Sequence, residues 1–155
     1  MRSVKKPVFK KRALWWLQAA PFIFFAALIV SRTTTPEYLI YDEIHYIPAA
    51  KQLVLGVENL NWVHPPLGKY ILGSMWFLFS KILNVIHEPE IFRVTTGAFG
   101  LWGLFSLQCW MLELGFSALL ASVATWLCGF NILWFVQSKT ATLDSIFVGF
   151  AIAGT

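Results

Sequence analysis

The sequence predicts an all-α integral membrane protein, a bundle of several spanning helices, and three observations predict it. Of its 155 residues, 57% are hydrophobic and 13% charged, where a soluble domain carries about 25% charged. Mean hydropathy is +0.64, and the apolar residues gather in long charge-free stretches. Six of the twelve basic residues (Arg2, Lys5, Lys6, Lys10, Lys11, Arg12) fall in the first twelve positions, a pattern that retains an N-terminus in the cytoplasm. From residue 13 onward six basic residues face eight acidic ones, a balance of −2. The net positive charge is therefore local, and it gives no support to nucleic-acid binding.

Residues 1–12 read as a cytoplasmic tail and the charge-free run 13–31 as a first span, long enough to cross a bilayer. Pro21 can kink it. The competing reading is a cleaved signal peptide. The run is long for that, and Leu28-Ile29-Val30-Ser31-Arg32 offers no small-x-small cleavage site. An uncleaved anchor places residues 32–92 outside as one loop. Within it Asp42 is placed to cap a helix over about 43–56 that Gly56 ends. Ile44, Ile47, Leu53 and Val54 give that helix an apolar side to lay on the membrane surface.

Residues 67–86 are ambiguous. Lys69 and Lys81 leave 11 uncharged residues between them, too few for a span unless both lysines snorkel. Lys69, Gly73, Ser80, Asn84 and His87 share one helical face, with Ile71, Leu72, Met75, Leu78, Phe79, Ile82 and Ile86 opposite. The pattern predicts a second juxtamembrane helix. Beyond it, 19 uncharged residues separate Arg93 from Glu113, and 25 separate Glu113 from Lys139. These read as spans over 93–112 and 116–137, turning at Glu113–Gly115. A further apolar run, 145–155, reads as the start of a fourth span, so the expectation is the N-terminal portion of a longer, truncated domain. Cys109 and Cys128 lie in apolar segments without metal-ligand spacing and read as buried hydrophobes.

If 67–86 does not cross, then Asp42, Glu43, His64, Lys69, Arg93, Lys139 and Asp144 all lie at one membrane face. If it crosses, Arg93 and Lys139–Asp144 move to the opposite side. Charges at a membrane edge are costly and usually functional, which favours the first arrangement. The acidic turn at Glu113 gains nothing from the positive-inside rule. Lysine and arginine can neutralise a phosphate, and a carboxylate can accept a proton from an attacking hydroxyl. A bland reading stands beside this one. Asp-Glu at a helix start can simply be a cap, His-Pro-Pro a rigid turn, and the aromatic residues Trp15, Trp16, Tyr38, Tyr41, Trp62 and Tyr70 an interfacial belt.

Four stretches occur in order: Asp42-Glu43 with His45-Tyr46; His64-Pro65-Pro66-Leu67-Gly68-Lys69; Phe92-Arg93; and Ser138-Lys139-Thr140-Ala141-Thr142-Leu143-Asp144-Ser145. Together they resemble the protein O-mannosyltransferase family, within the polyprenyl-phosphate-sugar transferases of the C-type glycosyltransferase fold, over most of residues 14–155. The resemblance implies a multi-pass membrane enzyme with a cytoplasmic N-terminus, in a bacterial plasma membrane or the endoplasmic reticulum. It implies inverting transfer of a mannose-type sugar from a dolichyl- or undecaprenyl-phosphate donor to a protein Ser or Thr hydroxyl outside the cytoplasm. Asp42 would be the catalytic base, and Glu43 would support it or position the acceptor. His64, Lys69 and Arg93 would contact the lipid phosphate or order the loop, and Asp144 would complete the pocket floor. No metal or other cofactor is implied. Val63 stands where related aminoarabinose transferases place a metal-site Glu, and Lys139 stands where arginine is common. Two other readings stay open: a non-enzymatic subunit or transporter fragment, and the same fold acting on a lipid or glycan acceptor.

Overall fold

The structure is a computed structural model that describes residues 8–58, 61, 63–64, 66–84 and 88–154, and among these it is all-helical. The elements are α1 (Val8–Val30), α2 (Glu43–Val54), α3 (Pro66–Trp76) running into a π-helix (Phe77–Ile82), α4 (Glu90–Glu113), α5 (Ala118–Gly129), α6 (Ile132–Lys139) and α7 (Asp144–Ala153). His87 and Ile86, expected on the helix over 67–86, lie outside the described residues, as does Trp62 of the expected aromatic belt.

Local chemistry sets the boundaries. Gly56 (φ +69°) and Gly115 (φ +87°) take the left-handed conformation just past α2 and α4. After each, the next amide reaches back to close the last turn, Val57 to the Gln52 carbonyl at 3.0 Å and Phe116 to that of Met111 at 3.1 Å. Ser117 and Asn131 sit extended at the starts of α5 and α6. Their side-chain oxygens accept from the first-turn amides of Leu120, and of Leu133 and Trp134.

The charge-free stretch 116–137, expected as one span, is two helices bent by 68°. Asn131 explains the break: its carboxamide oxygen takes amides at 3.0 and 3.2 Å that a continuing helix would have given to its own carbonyls. Residues 67–86 also differ from one continuous α-helix. The α-helix gives way to the π-helix at Phe77, and the chain turns out at Asn84 in the left-handed region (φ +52°).

Helix α4 is central and touches α1, α3, α5, α6 and α7, while α2 packs on α3. The Gln108 amide donates to the Gln18 carbonyl at 3.3 Å, and Arg93 at the other end of α4 meets the chain just past α1. Helices α1 and α4 are therefore antiparallel. Ser122 ties α5 to α1 by donating to the Leu17 carbonyl at 2.8 Å. Ser145 ties α7 to α4 by donating to the Thr96 carbonyl. The buried apolar cluster comprises Tyr46, Ile47, Ala50, Leu72, Trp76, Phe92, Ala141, Leu143 and Ile146, so it sits at the Arg93 end of the bundle.

Beside that apolar cluster the interior also holds polar and charged groups, and many large apolar side chains face outward. Arg93, Lys69, Glu43, Gln108, Thr96, Thr125 and Ser122 are buried, while Trp15, Trp16, Ile23, Phe105, Leu127, Ile132 and Leu133 are exposed. The Lys69–Gly73 side of α3, with Leu72 and Trp76, turns inward, while Met75 of α3 and Leu78, Phe79 and Ile82 of the π-helix face out. Leu72 therefore belongs with Lys69, not with the outward apolar side. One described helix, over Arg12–Val30, is long and apolar enough to cross a membrane; a second candidate is the bent pair α5–α6 taken as one span. Helix α4 has spanning length, about 36 Å at 1.5 Å per residue. Its buried Thr95, Thr96, Gly97, Gly100, Gly103 and Gln108 dilute its hydropathy.

Candidate functional site

The Arg93 end of the bundle collects most of the ionisable groups singled out in the sequence. At its centre Arg93 and Glu43, 1% and 0% exposed, form a two-bonded ion pair at 2.9 and 2.8 Å. The remaining guanidinium donors go to the carbonyls of Thr33 (3.0 Å), Pro36 (2.6 Å) and Tyr38 (3.1 Å). A guanidinium has five N–H donors, and all five are engaged. Arg93 thus gathers the chain after α1 and fastens it to α2, and it keeps no donor for a lipid phosphate. That removes the phosphate-contact role expected of it and leaves the loop-ordering one.

Glu43 is equally committed. Besides Arg93, its oxygens accept from the amides of Ala141 at 2.8 Å and Ile40 at 3.1 Å. Burial by itself would raise the Glu43 carboxyl. The bonds from Arg93, Ala141 and Ile40 outweigh it and hold the group below its ordinary value. A fully buried carboxylate with four donors is not placed to position an acceptor, and its geometry bears on the base Asp42 only through the backbone segment that both residues share. It also draws residues 138–145 against α2.

Asp42, one residue earlier, is exposed. It occupies the position before α2, but its backbone is helical (φ −70°, ψ −12°) and its side chain makes no cap hydrogen bond. Capping needs an extended residue whose side chain folds back over the first amides. Glu43 instead reaches back to the Ile40 amide, and Tyr41 in the left-handed region (φ +49°) makes that reversal. The expected capping role of the Asp42 side chain is thus corrected. Asp42 lines a cleft of about 440 Å³ together with His45, Tyr46, Gln52, Asn61, Val63 and His64. The Tyr46 ring stands edge-on to His64 with centroids 5.1 Å apart. Burial, then the Asp42 and Asp144 carboxylates, push the Tyr46 phenol up, so both acids lie within electrostatic reach of it.

Lys69 lies on the far side of His64. It is 1% exposed, its ammonium donates to the Asn61 carbonyl, and burial lowers its pKa. It lines a second cavity of about 520 Å³ with Leu53, Gly56, Val57, Glu58, Asn61, His64 and Pro66. Asp144 does not floor the Asp42 cleft. It is exposed at the start of α7 and edges a separate cavity of about 470 Å³ between α5, α6 and α7, with Leu127, Cys128, Asn131, Leu133, Trp134, Gln137, Ser145 and Val148. The reason is the turn at 140–143, where Ala141 and Leu143 point into the core and leave Asp144 outside it. Cys128, in that cavity wall, and Cys109 are half-buried free thiols. Lys139 lies over the Phe135 ring at 5.6 Å.

Sequence reasoning missed Tyr46 and Asn61 as cleft walls and the Ala141 amide as the partner of Glu43. Tyr46 falls on the apolar side of α2, so periodicity reads it as core. The amide is a backbone group that no residue type signals. Among the described residues no three His, Cys, Asp or Glu side chains converge as a metal-ligand set. Comparison with protein-family models, with curated proteins and with solved structures finds no match for this chain.

Proposed function

We propose that this chain belongs to a multispanning membrane glycosyltransferase that moves a mannose-type sugar from a polyprenyl-phosphate donor to a hydroxyl of an acceptor protein, with Asp42 as the base. The membrane setting is supported by the many large apolar residues that face outward and by the Thr, Ser, Gln and paired charges held inward beside the apolar cluster. Helix interfaces built from small and hydroxylated residues are typical of proteins in lipid, and exposed apolar surface on this scale is rare in soluble monomers.

The observation that carries the catalytic reading is the contrast between two neighbouring carboxylates. Glu43 is buried and consumed by four donors, while Asp42 is uncapped and lines a cleft with His45 and His64. In the transfer, the acceptor hydroxyl gives its proton to the Asp42 carboxylate as its oxygen bonds to the anomeric carbon. The bond from that carbon to the phosphate oxygen breaks, its electron pair leaves with the lipid phosphate, and the anomeric configuration inverts. Glu43 and Arg93 hold the loop from which Asp42 projects.

The test is Asp42→Asn in the membrane-embedded protein, assayed for sugar transfer from dolichyl- or undecaprenyl-phosphate mannose to a Ser/Thr-containing peptide. Loss of transfer by at least about a hundredfold, with membrane insertion intact, is expected of a removed general base. Near-normal transfer would show that Asp42 is not the base. A wild-type protein without transfer to peptide, but with transfer to a lipid or glycan hydroxyl, would keep the chemistry and change the acceptor.

A further inference from the structure

We propose that the cavity between α5, α6 and α7 binds a lipid of the phosphatidylethanolamine class, with its primary ammonium on Asp144 and an acyl chain running inward along α7. The site lies apart from the Asp42 cleft, and it rests on the membrane setting rather than on sugar transfer.

The cavity has a direction, which α4 supplies. Ser145 at the start of α7 donates to the Thr96 carbonyl at 3.3 Å. Further along α7, a Cβ on Gly149 would lie 3.0 Å from the Phe99 carbonyl oxygen and 3.9 Å from the Gly103 nitrogen. Helix α7 therefore runs parallel to α4. On α6 the order is reversed, with Ser138 against Gly100 and Trp134 against Gly103. Asp144, Ser145 and Gln137 thus gather toward the Arg93 end of the bundle, while Val148 and Leu133 lie about 6 Å deeper at 1.5 Å per residue. Leu127 and Cys128 of α5 extend the deep wall, since Thr125 of that helix meets Gln108 of α4. The result is a groove of about 470 Å³, polar at the membrane face and apolar below it. Leu127 and Leu133 are themselves exposed, so the apolar end is open to a chain arriving from the bilayer.

Charge selects the head. Asp144 is exposed, and the ion pairs among the described residues join Lys51 to Glu88 and Arg93 to Glu43, leaving Asp144 without one. Lys139, across the turn, lies over the Phe135 ring instead. An ionised group at a membrane edge is costly and usually functional. This carboxylate repels the head of an anionic lipid. It accepts from a primary ammonium, whose three N–H groups make charge-assisted hydrogen bonds. A choline head carries the same charge with no N–H to donate. Gln137 suits the phosphate of a zwitterionic head: its carbonyl oxygen already takes the Thr142 hydroxyl at 2.7 Å, which leaves its NH₂ to donate.

The protein carries its own reporter. Cys128 lies in the wall of this cavity, and Cys109 lies in a separate groove between α1 and α4 with Trp15, Phe22 and Phe105. Both are free thiols. Methyl methanethiosulfonate, small and membrane-permeant, is applied to the protein in phosphatidylcholine vesicles. It is applied also where phosphatidylethanolamine or phosphatidylglycerol replaces part of that lipid. The thiolate attacks the sulfenyl sulfur, a mixed disulfide forms and methanesulfinate leaves; peptide mapping reads each site. We expect Cys128 to react about tenfold more slowly when ethanolamine lipid stands at ten times the level that half-fills the site. Phosphatidylglycerol should give no protection, and Cys109 should be unchanged throughout. Asp144→Asn should abolish the protection and Asp144→Glu should keep it, with an unchanged Cys109 rate reporting that each variant is folded. Equal protection by phosphatidylglycerol, protection retained in Asp144→Asn, or no protection by any lipid overturns the proposal. Protection by a soluble lysine peptide, or by raised protein density, with none from ethanolamine lipid gives the cavity to a cationic peptide or a second copy and overturns it likewise. None of these readouts involves sugar transfer.

Discussion

The sharpest stability prediction concerns Glu43→Gln against its neighbour Asp42→Asn. Both changes remove one negative charge and nearly preserve shape. At Glu43 the amide leaves Arg93 buried beside an uncharged group. Its one oxygen can serve only part of the set of Arg93, Ala141 and Ile40 donors, and its NH₂ confronts whichever is left. Breaking a buried pair by removing one partner costs about 3–5 kcal/mol. Asp42 is exposed and caps nothing, so its change should stay within about 0.5 kcal/mol. Reversible unfolding in mixed micelles, followed by circular dichroism, reads both. The double variant Glu43→Gln with Arg93→Met removes the orphaned charge, and its destabilisation should be smaller than the sum of the single ones. The pH dependence has a definite sign. The folded Glu43 pKa lies below its ordinary value, so its contribution is full above the unfolded value, about pH 4.3. It is lost as the pH falls from there through the folded pKa. Glu43→Gln should flatten that acid limb. Equal, small effects of the two single variants would refute the assignment of Glu43 and Arg93 as the pair that holds this end together.

Two further changes probe the packing around the site. A Cβ at Gly73 would lie 2.3 Å from the Ala50 carbonyl oxygen and 2.5 Å from a Val54 methyl carbon. Gly73→Ala should therefore push α3 off α2 at about 1–3 kcal/mol, read as the same unfolding shift; an unchanged midpoint would mean the two helices are not in contact. Asn131→Ala removes the oxygen that accepts from Leu133 and Trp134 and should cost about 0.5–2 kcal/mol. Amide exchange at those two positions should quicken, and unchanged protection would place the cause of the 68° bend elsewhere.

Much of this architecture is legible in the sequence because it depends on neighbours along the chain. Charge-free runs mark α1 and α4, Gly56 and Gly115 end their helices through local backbone bonds, and the loop 41–69 stands out by its ionisable groups. The bend at Asn131 was also local, yet hidden. Hydropathy does not register one amide inside a charge-free stretch, whereas its side-chain oxygen decides where α6 begins.

What the sequence determined by itself is an all-helical chain, strongly apolar, with its unusual charges concentrated in a few short stretches. What only the tertiary structure decided is what each charge does. Asp42 and Glu43 are adjacent acids of the same chemistry, and nothing nearby tells them apart. Their difference comes from partners 50 and 98 positions away, Arg93 and the Ala141 amide, which meet the inward phase of α2 at Glu43 and leave Asp42 outside. The same holds for Lys69, whose burial follows from the packing of α3 on α2 and α4. Long-range pairing is a property of how helices meet, and that meeting decides which charges are buried and which partners they find.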